Sequence, residues 1–207
     1  TDVYGIDAVV LTHLHADHCL DLTSYYVARR YHPDGPKGSI PVLGPSGTAD
    51  RMARAYDLPP EEGMHGEFEF RDHVEVTEIG PFRITTTRVN HPVEAYGTRV
   101  EAGGTSLVFS GDTGETDALV ELSRGADLAL YDGRGGLRGQ PSGRQHVLGA
   151  PAYVALRQSA PRGPPGEQLV VIGIECPAHI DQRTSEEPRQ QRALLRSCAD
   201  LVGFALL

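Results

Sequence analysis

Ile6-Asp-Ala-Val-Val-Leu-Thr-His-Leu-His-Ala-Asp-His18 is the stretch on which the fold turns. Residues 6–11 are an apolar run with two adjacent valines that stops at Thr12, the pattern of a buried strand feeding a loop. Four side chains able to ligate a metal follow within six residues: His13, His15, Asp17 and His18. In a pleated strand residues i and i+2 share a face, so His13 and His15 can address one cation while Leu14 points into the core. Asp17 and His18 then fall where the chain turns into a helix, from which they can reach a second cation. Imidazole nitrogens with carboxylate oxygens in this ratio suit a borderline cation such as zinc. A chance surface cluster of histidines does not account for the whole string directly after a strand.

Outward from this motif, strand and helix alternate. Residues 17–31 hold no Gly or Pro, and Leu20, Ser24, Val27 and Tyr31 fall on one helical stripe with Asp17 as cap. Residues 32–47 read as a Pro- and Gly-rich loop around a short strand at 40–43, after which Ser46 can cap a helix to about Tyr56. Residues 82–89 are β-branched and end shortly before His91, residues 95–101 return as the next strand, and 106–110 form a buried strand ending in Gly111-Asp112-Thr113. A short helix at 116–124 and a strand at 128–131 follow. His91 and Asp112 thus both lie where loops gather at the end of a sheet. Beyond Asp132 the signal thins, apart from a strand at 169–174 and a helix at 189–201.

Composition bounds the function. At 207 residues the chain fits one domain able to bury a core without structural metal, so a metal here would serve chemistry. No run approaches the roughly 18 apolar residues of a membrane span, which predicts a soluble chain. Cys19, Cys176 and Cys198 are odd in number and irregularly spaced, which argues against disulfides and sets a cytoplasmic location as the default. The net charge of −9 repels polyanions. It is unevenly spread: residues 1–132 carry 10 Lys and Arg against 22 Asp and Glu, and residues 133–207 carry 9 against 6.

The sequence resembles the metallo-β-lactamase superfamily, in the branch similar to ribonuclease Z and to small bacterial phosphodiesterases that open cyclic nucleotides. The resemblance rests on residues 12–22 (Thr-His-Leu-His-Ala-Asp-His-Cys-Leu-Asp-Leu), Arg29-Arg-Tyr-His-Pro33, Val89-Asn-His-Pro-Val-Glu-Ala-Tyr-Gly97 and Phe109-Ser-Gly-Asp-Thr-Gly114. It covers residues 1–132 of what is expected to be a single domain over 1–207, with 133–207 divergent. It implies an α/β fold of the αββα sandwich type with two divalent metal ions, zinc or manganese. His13, His15 and His91 would hold one, Asp17 and His18 the other, and Asp112 would bridge both. The implied nucleophile is a metal-bridging hydroxide, with Asp17 also orienting it.

The resemblance implies, too, about two strands before the His motif, which this chain lacks, and truncation of a longer protein is the expectation. A further ligand histidine is implied near the C-terminus, but the aligned residue is Gly173, and His179 is the nearest substitute. Asp132 and His146 lie near places where relatives carry a glutamate and a histidine that protonates the leaving group, so His146 is the second candidate catalytic residue beside Asp17. An altered reading frame after 132 would explain the charge reversal and the missing ligand together; a coding sequence with no alternative frame restoring a Leu-Thr-His-like motif would reject it.

The leading expectation is a dinuclear phosphodiesterase for a small cyclic nucleotide. A ribonuclease Z-like RNA endonuclease and a thioester hydrolase are the alternatives, and a degenerate, non-catalytic metal-binding domain is the alternative of another class. A small phosphodiester is the expected partner, with large nucleic acid disfavoured, no membrane, and a homodimer left open.

Overall fold

The computed structural model describes residues 3–59, 61–132, 144–147, 153–158 and 169–172. After a 3-10 turn at Val3–Gly5, β1 (Ala8–Leu11) leads into two short helices, α1 (Ala16–Cys19) and α2 (Asp21–Arg30). Then come β2 (Ile40–Gly44), α3 (Thr48–Ala55) and β3 (Phe68–Asp72). The middle of the chain gives β4 (Val76–Ile79), β5 (Phe82–Arg88), β6 (Tyr96–Ala102), β7 (Thr105–Asp112), α4 (Asp117–Ser123) and β8 (Leu128–Asp132). The described part of the C-terminal third supplies β9 (Arg144–Val147), β10 (Tyr153–Gln158) and β11 (Leu169–Ile172).

Two sheets result. The first has the order β11-β10-β1-β2-β3, with β1, β2 and β3 parallel and β10 antiparallel to both β1 and β11. The second has the order β4-β5-β6-β7-β8-β9, antiparallel from β4 to β7 and parallel from β7 to β9.

All four residues of β1 are buried because the strand has layers on both faces. Ala8 and Val10 face the second sheet and pack with Phe82, Ile84, Val100, Leu107, Phe109 and Leu130. Val9 and Leu11 face the other way, onto Cys19, Leu22, Tyr26 and Met52 from the helical layer. On the far side of the second sheet, Leu119 and Leu122 of α4 cover Val108, Ala129 and Tyr131. The layers therefore run helix, sheet, sheet, helix, the αββα order expected. Burying side chains the size of Phe82 and Phe109 contributes about 1.5–3 kcal/mol each.

Several local readings shift. The helix expected at 17–31 is interrupted at Leu20, and His15, not Asp17, is the N-cap residue of α1, with no side-chain capping bond. The buried stripe of α2 is Leu22, Tyr26 and Arg29, while Ser24 and Tyr31 are exposed. A buried arginine defeats a reading by hydrophobic period, because the position that faces inward carries a charge. Its two terminal nitrogens donate to the Tyr25 hydroxyl, 3.1 Å away, and to the Gly38 carbonyl, which ties α2 to the following loop, while Nε is buried without a hydrogen-bond partner. Ser46 does not cap α3; its hydroxyl donates to Asp72, and Gly47 takes the N-cap place at φ 81°. The strand expected at 169–174 is β11, whereas Gly173, His179 and the helix at 189–201 lie outside the described residues.

Candidate metal centre

Strand ends from both sheets meet above the C-terminal end of β1. His13 and His15 come from the turn between β1 and α1, His18 from α1 itself, His91 follows β5, and Asp112 is the last residue of β7. His13 is fully buried. Its Nε2 lies 3.1 Å from His15 Nδ1, and His91 Nε2 lies 3.2 Å from the same His15 nitrogen. On its other side, His13 Nε2 is 3.9 Å from Asp112 Oδ2, and His18 Nε2 is 3.4 Å from Asp112 Oδ1. Two donor groups emerge, His13 with His15 and His91, and His13 with His18 and Asp112, each with its ligand atoms within 4.8 Å of one another. Asp17 stands at the rim: its carboxylate is 69% exposed and meets the second group through His18 Nε2, 3.5 Å away.

The donors fit a cation. Four nitrogens tetrahedrally placed about zinc at its usual bond length are about 3.3 Å apart, close to the 3.1 and 3.2 Å found among these imidazoles. Burial lowers the pKa of His13 to about 4, with His18 adding to the effect and Asp112 opposing it, so the ring is neutral at pH 7. Burial likewise lowers His91, against the opposing pull of Asp112. Neutral rings keep the lone pairs that ligation requires. Cys19 adds no thiolate, because burial pushes its thiol up to about 11.

A bulge aims Asp112. Leu107 and Phe109 point between the sheets and Val108 points to α4, so strict alternation would send residue 112 toward α4 as well. Instead the β7–β8 register slips: Phe109 pairs with Leu130 and Asp112 with Asp132, one residue extra on β7. The extra residue restores Asp112 to the face of Leu107 and Phe109, toward the histidines. Gly111 makes this possible with φ +56°, and a Cβ there would stand 2.8 Å from the Thr12 Cβ.

Around the ligands lies a layer of supports that sequence reasoning missed. Thr12 Oγ1 is 3.1 Å from His13 Nδ1, which fixes the ring and leaves Nε2 for ligation. The Tyr96 N–H donates to the Thr12 carbonyl at 3.0 Å, joining the two sheets beside the site. His73 Nε2 donates to the Leu11 carbonyl at 2.8 Å, and its ring packs on Tyr96 with centroids 4.5 Å apart. None of these bonds has a periodic or spacing signature.

His32 packs on Tyr4, ring centroids 4.4 Å apart, and Tyr4 precedes β1, so the segment 29–33 sits at the end of β1 opposite the metal centre. His146 is on β9, paired with Leu130. Among the described residues no helix is long and apolar enough to cross a membrane.

The comparisons agree with this geometry. A family model described as beta-lactamase superfamily domain matches residues 1–159. An uncharacterised protein of Mycobacterium leprae is 44% identical over 131 residues, covering 60% of this chain and 45% of that protein. A ribonuclease Z of Mycobacterium bovis (strain BCG / Pasteur 1173P2) is 31% identical over 147 residues, covering 61% of this chain and 51% of that protein. The chain thus spans about half the length of these curated relatives. Among solved structures, the metallo-β-lactamase fold protein YhfI of Bacillus subtilis superposes with a TM-score of 0.50 at 24% identity, covering 61% of this chain and 49% of that one, a likeness of fold. The paired sheets, the helical outer layers and the converging His and Asp side chains are those of the family the model describes: this chain belongs to the metallo-β-lactamase-fold hydrolase superfamily.

Proposed function

We propose that the chain is the metal-binding part of a dinuclear phosphodiesterase that acts on a small cyclic nucleotide. The observation that carries this reading is the pair of donor groups sharing the buried His13. Divalent cations held there, zinc or manganese, supply Lewis acidity toward a phosphoryl oxygen and activate water near neutral pH. His13, His15 and His91 offer nitrogens to one, and His18 with Asp112 offers a mixed nitrogen and oxygen set to the other. Asp17, exposed at the rim, is free to turn inward, where its carboxylate would orient the attacking water and accept its proton. His146 is the candidate donor of a proton to the leaving oxygen; in its support, β9 lies beside β8, whose last residue pairs with Asp112.

Electrostatics favour a small substrate over RNA. The acidic balance of residues 1–132 opposes a polyanion, and the single Arg-Arg pair is not available as a grip. Arg29 is buried, and Arg30 is held by Glu67 at 3.1 Å. The 31% identity with a ribonuclease Z is the observation on the side of an RNA endonuclease, and the assay should include that arm. The full 207-residue protein, loaded with zinc or manganese, is expected to cleave cyclic AMP or bis(p-nitrophenyl) phosphate, and His13→Ala to abolish cleavage. Cleavage of a tRNA precursor alone would move the assignment to the endonuclease, cleavage of a thioester alone to an acyl hydrolase. Failure on all of these with metal bound would leave a binding domain.

A further inference from the structure

The two donor groups draw His91 and Asp112 from different strands, and something must set the distance between them. We propose that Thr113 is a positioning residue for the metal centre, its hydroxyl fastening the strand end that carries His91 to the strand end that carries Asp112. The inference rests on the site binding metal, not on which bond is hydrolysed.

The Thr113 hydroxyl accepts a hydrogen bond from the Asn90 N–H at 3.1 Å. It donates to the Gly114 carbonyl at 2.7 Å, with the Asn90 carbonyl a more distant acceptor at 3.4 Å. The Gly114 N–H in turn donates to the Asn90 carbonyl at 2.8 Å, and residues 90 and 114 form an isolated antiparallel bridge. Asn90 immediately precedes His91, and Thr113 immediately follows Asp112. The hydroxyl is thus one residue from the ligand belonging only to the first group and one residue from a ligand belonging only to the second. The gap is closely filled as well, since a Cβ on Gly114 would stand 3.2 Å from the Asn90 side-chain nitrogen.

Backbone bonds alone leave this bridge one rung long. Without the hydroxyl, the Asn90 N–H loses its acceptor and a single rung resists rotation of the two ends. The His91 ring and the Asp112 carboxylate would then sample a wider range of separations, and each cation would meet a less prepared set of donors. Supports of this kind change metal affinity about 10- to 100-fold when removed.

The test is metal binding by the 207-residue chain, read without substrate. Thr113→Val preserves shape and removes the hydroxyl; Thr113→Ser keeps it. Competition with a chelator should show cobalt(II) bound at least 10-fold more weakly by the valine variant, with an altered ligand-field absorption spectrum, and the serine variant should restore both. Thermal unfolding of the metal-free proteins separates this from a damaged fold, because a loss confined to packing would follow the melting temperature and not the spectrum. Wild-type affinity and spectrum in Thr113→Val would overturn the proposal, as would a serine variant that loses metal as severely as the valine one. Either result leaves the phosphodiesterase reading standing or falling on its own substrate assays.

Discussion

His91 Nε2 and His15 Nδ1 lie 3.2 Å apart across 76 residues of chain, one hung from each sheet. The rings meet edge to face, their planes 72° apart, and the two nitrogens stand at about the separation of two ligands of one cation. Their approach is supported by bonds that need no cation, the Tyr96 N–H to the Thr12 carbonyl among them. The centre is therefore assembled by the fold.

The two donor groups make the ligands distinguishable by counting. His15→Ala and His18→Ala are each expected to lower the bound metal from about two ions per chain to about one, because each removes a donor from a single group. His13→Ala should match His15→Ala, since its one available nitrogen serves the same cation. Elemental analysis of the purified variants reads this directly, and two ions retained in any of the three would contradict the ligand assignment.

Gly111→Ala should damage the site through the backbone. The added methyl meets Thr12 and strains a left-handed residue, at a cost of about 1–3 kcal/mol. The expected result is a melting temperature several degrees lower together with weakened metal binding, because relief of the clash turns Asp112 away from the histidines. Retention of full metal content would show that the bulge does not aim the carboxylate.

Acid should destabilise the metal-free protein ahead of ordinary carboxylate titration. His13 is held at about 4 in the fold against 6.5 in the unfolded chain, so the unfolded chain binds more protons throughout that window. Stability is at its full value above pH 6.5 and falls as the pH drops toward 4, by roughly 1–2 kcal/mol between pH 7 and pH 5 from this ring alone. His91 and His73, both lowered chiefly by burial, act in the same direction. Melting curves in chelator at the two pH values measure the slope, and His13→Gln should reduce it; an unchanged slope would remove His13 as its source.

His73 touches no ligand, yet His73→Phe should lower stability by about 1–3 kcal/mol. It keeps the ring against Tyr96 and removes the donor to the Leu11 carbonyl. Because that carbonyl lies two residues before His13, metal affinity should fall as well. His73→Gln, which can still donate, is the control: if it binds metal no better than the phenylalanine variant, the hydrogen bond is not what matters.

Much of this site was legible because ligands at strand ends leave a mark on both sides. An apolar run followed at once by His-x-His-x-Asp-His declares where a strand stops and what it carries, and the same logic found His91 and Asp112. The αββα layering followed from the family resemblance. What escaped reading depended on bonds without periodicity. Arg29 is buried because two neutral oxygens receive it, so no hydrophobic pattern could mark its face of α2. His73, Tyr96 and Thr12 support the centre through backbone carbonyls, which any residue possesses. The segment 29–33 contributed to the resemblance without belonging to the metal centre, since the length of α2 carries it to the far end of β1.

The bulge in β7 has a final implication for how this molecule tolerates insertion and deletion. Pleated strands read in twos, so losing or gaining one residue between Phe109 and Asp112 would exchange inside for outside at the carboxylate while leaving every upstream pairing intact. A protein so altered would keep its core and lose its chemistry. The parity of a three-residue stretch is thus a more exacting requirement here than the identity of most side chains around it.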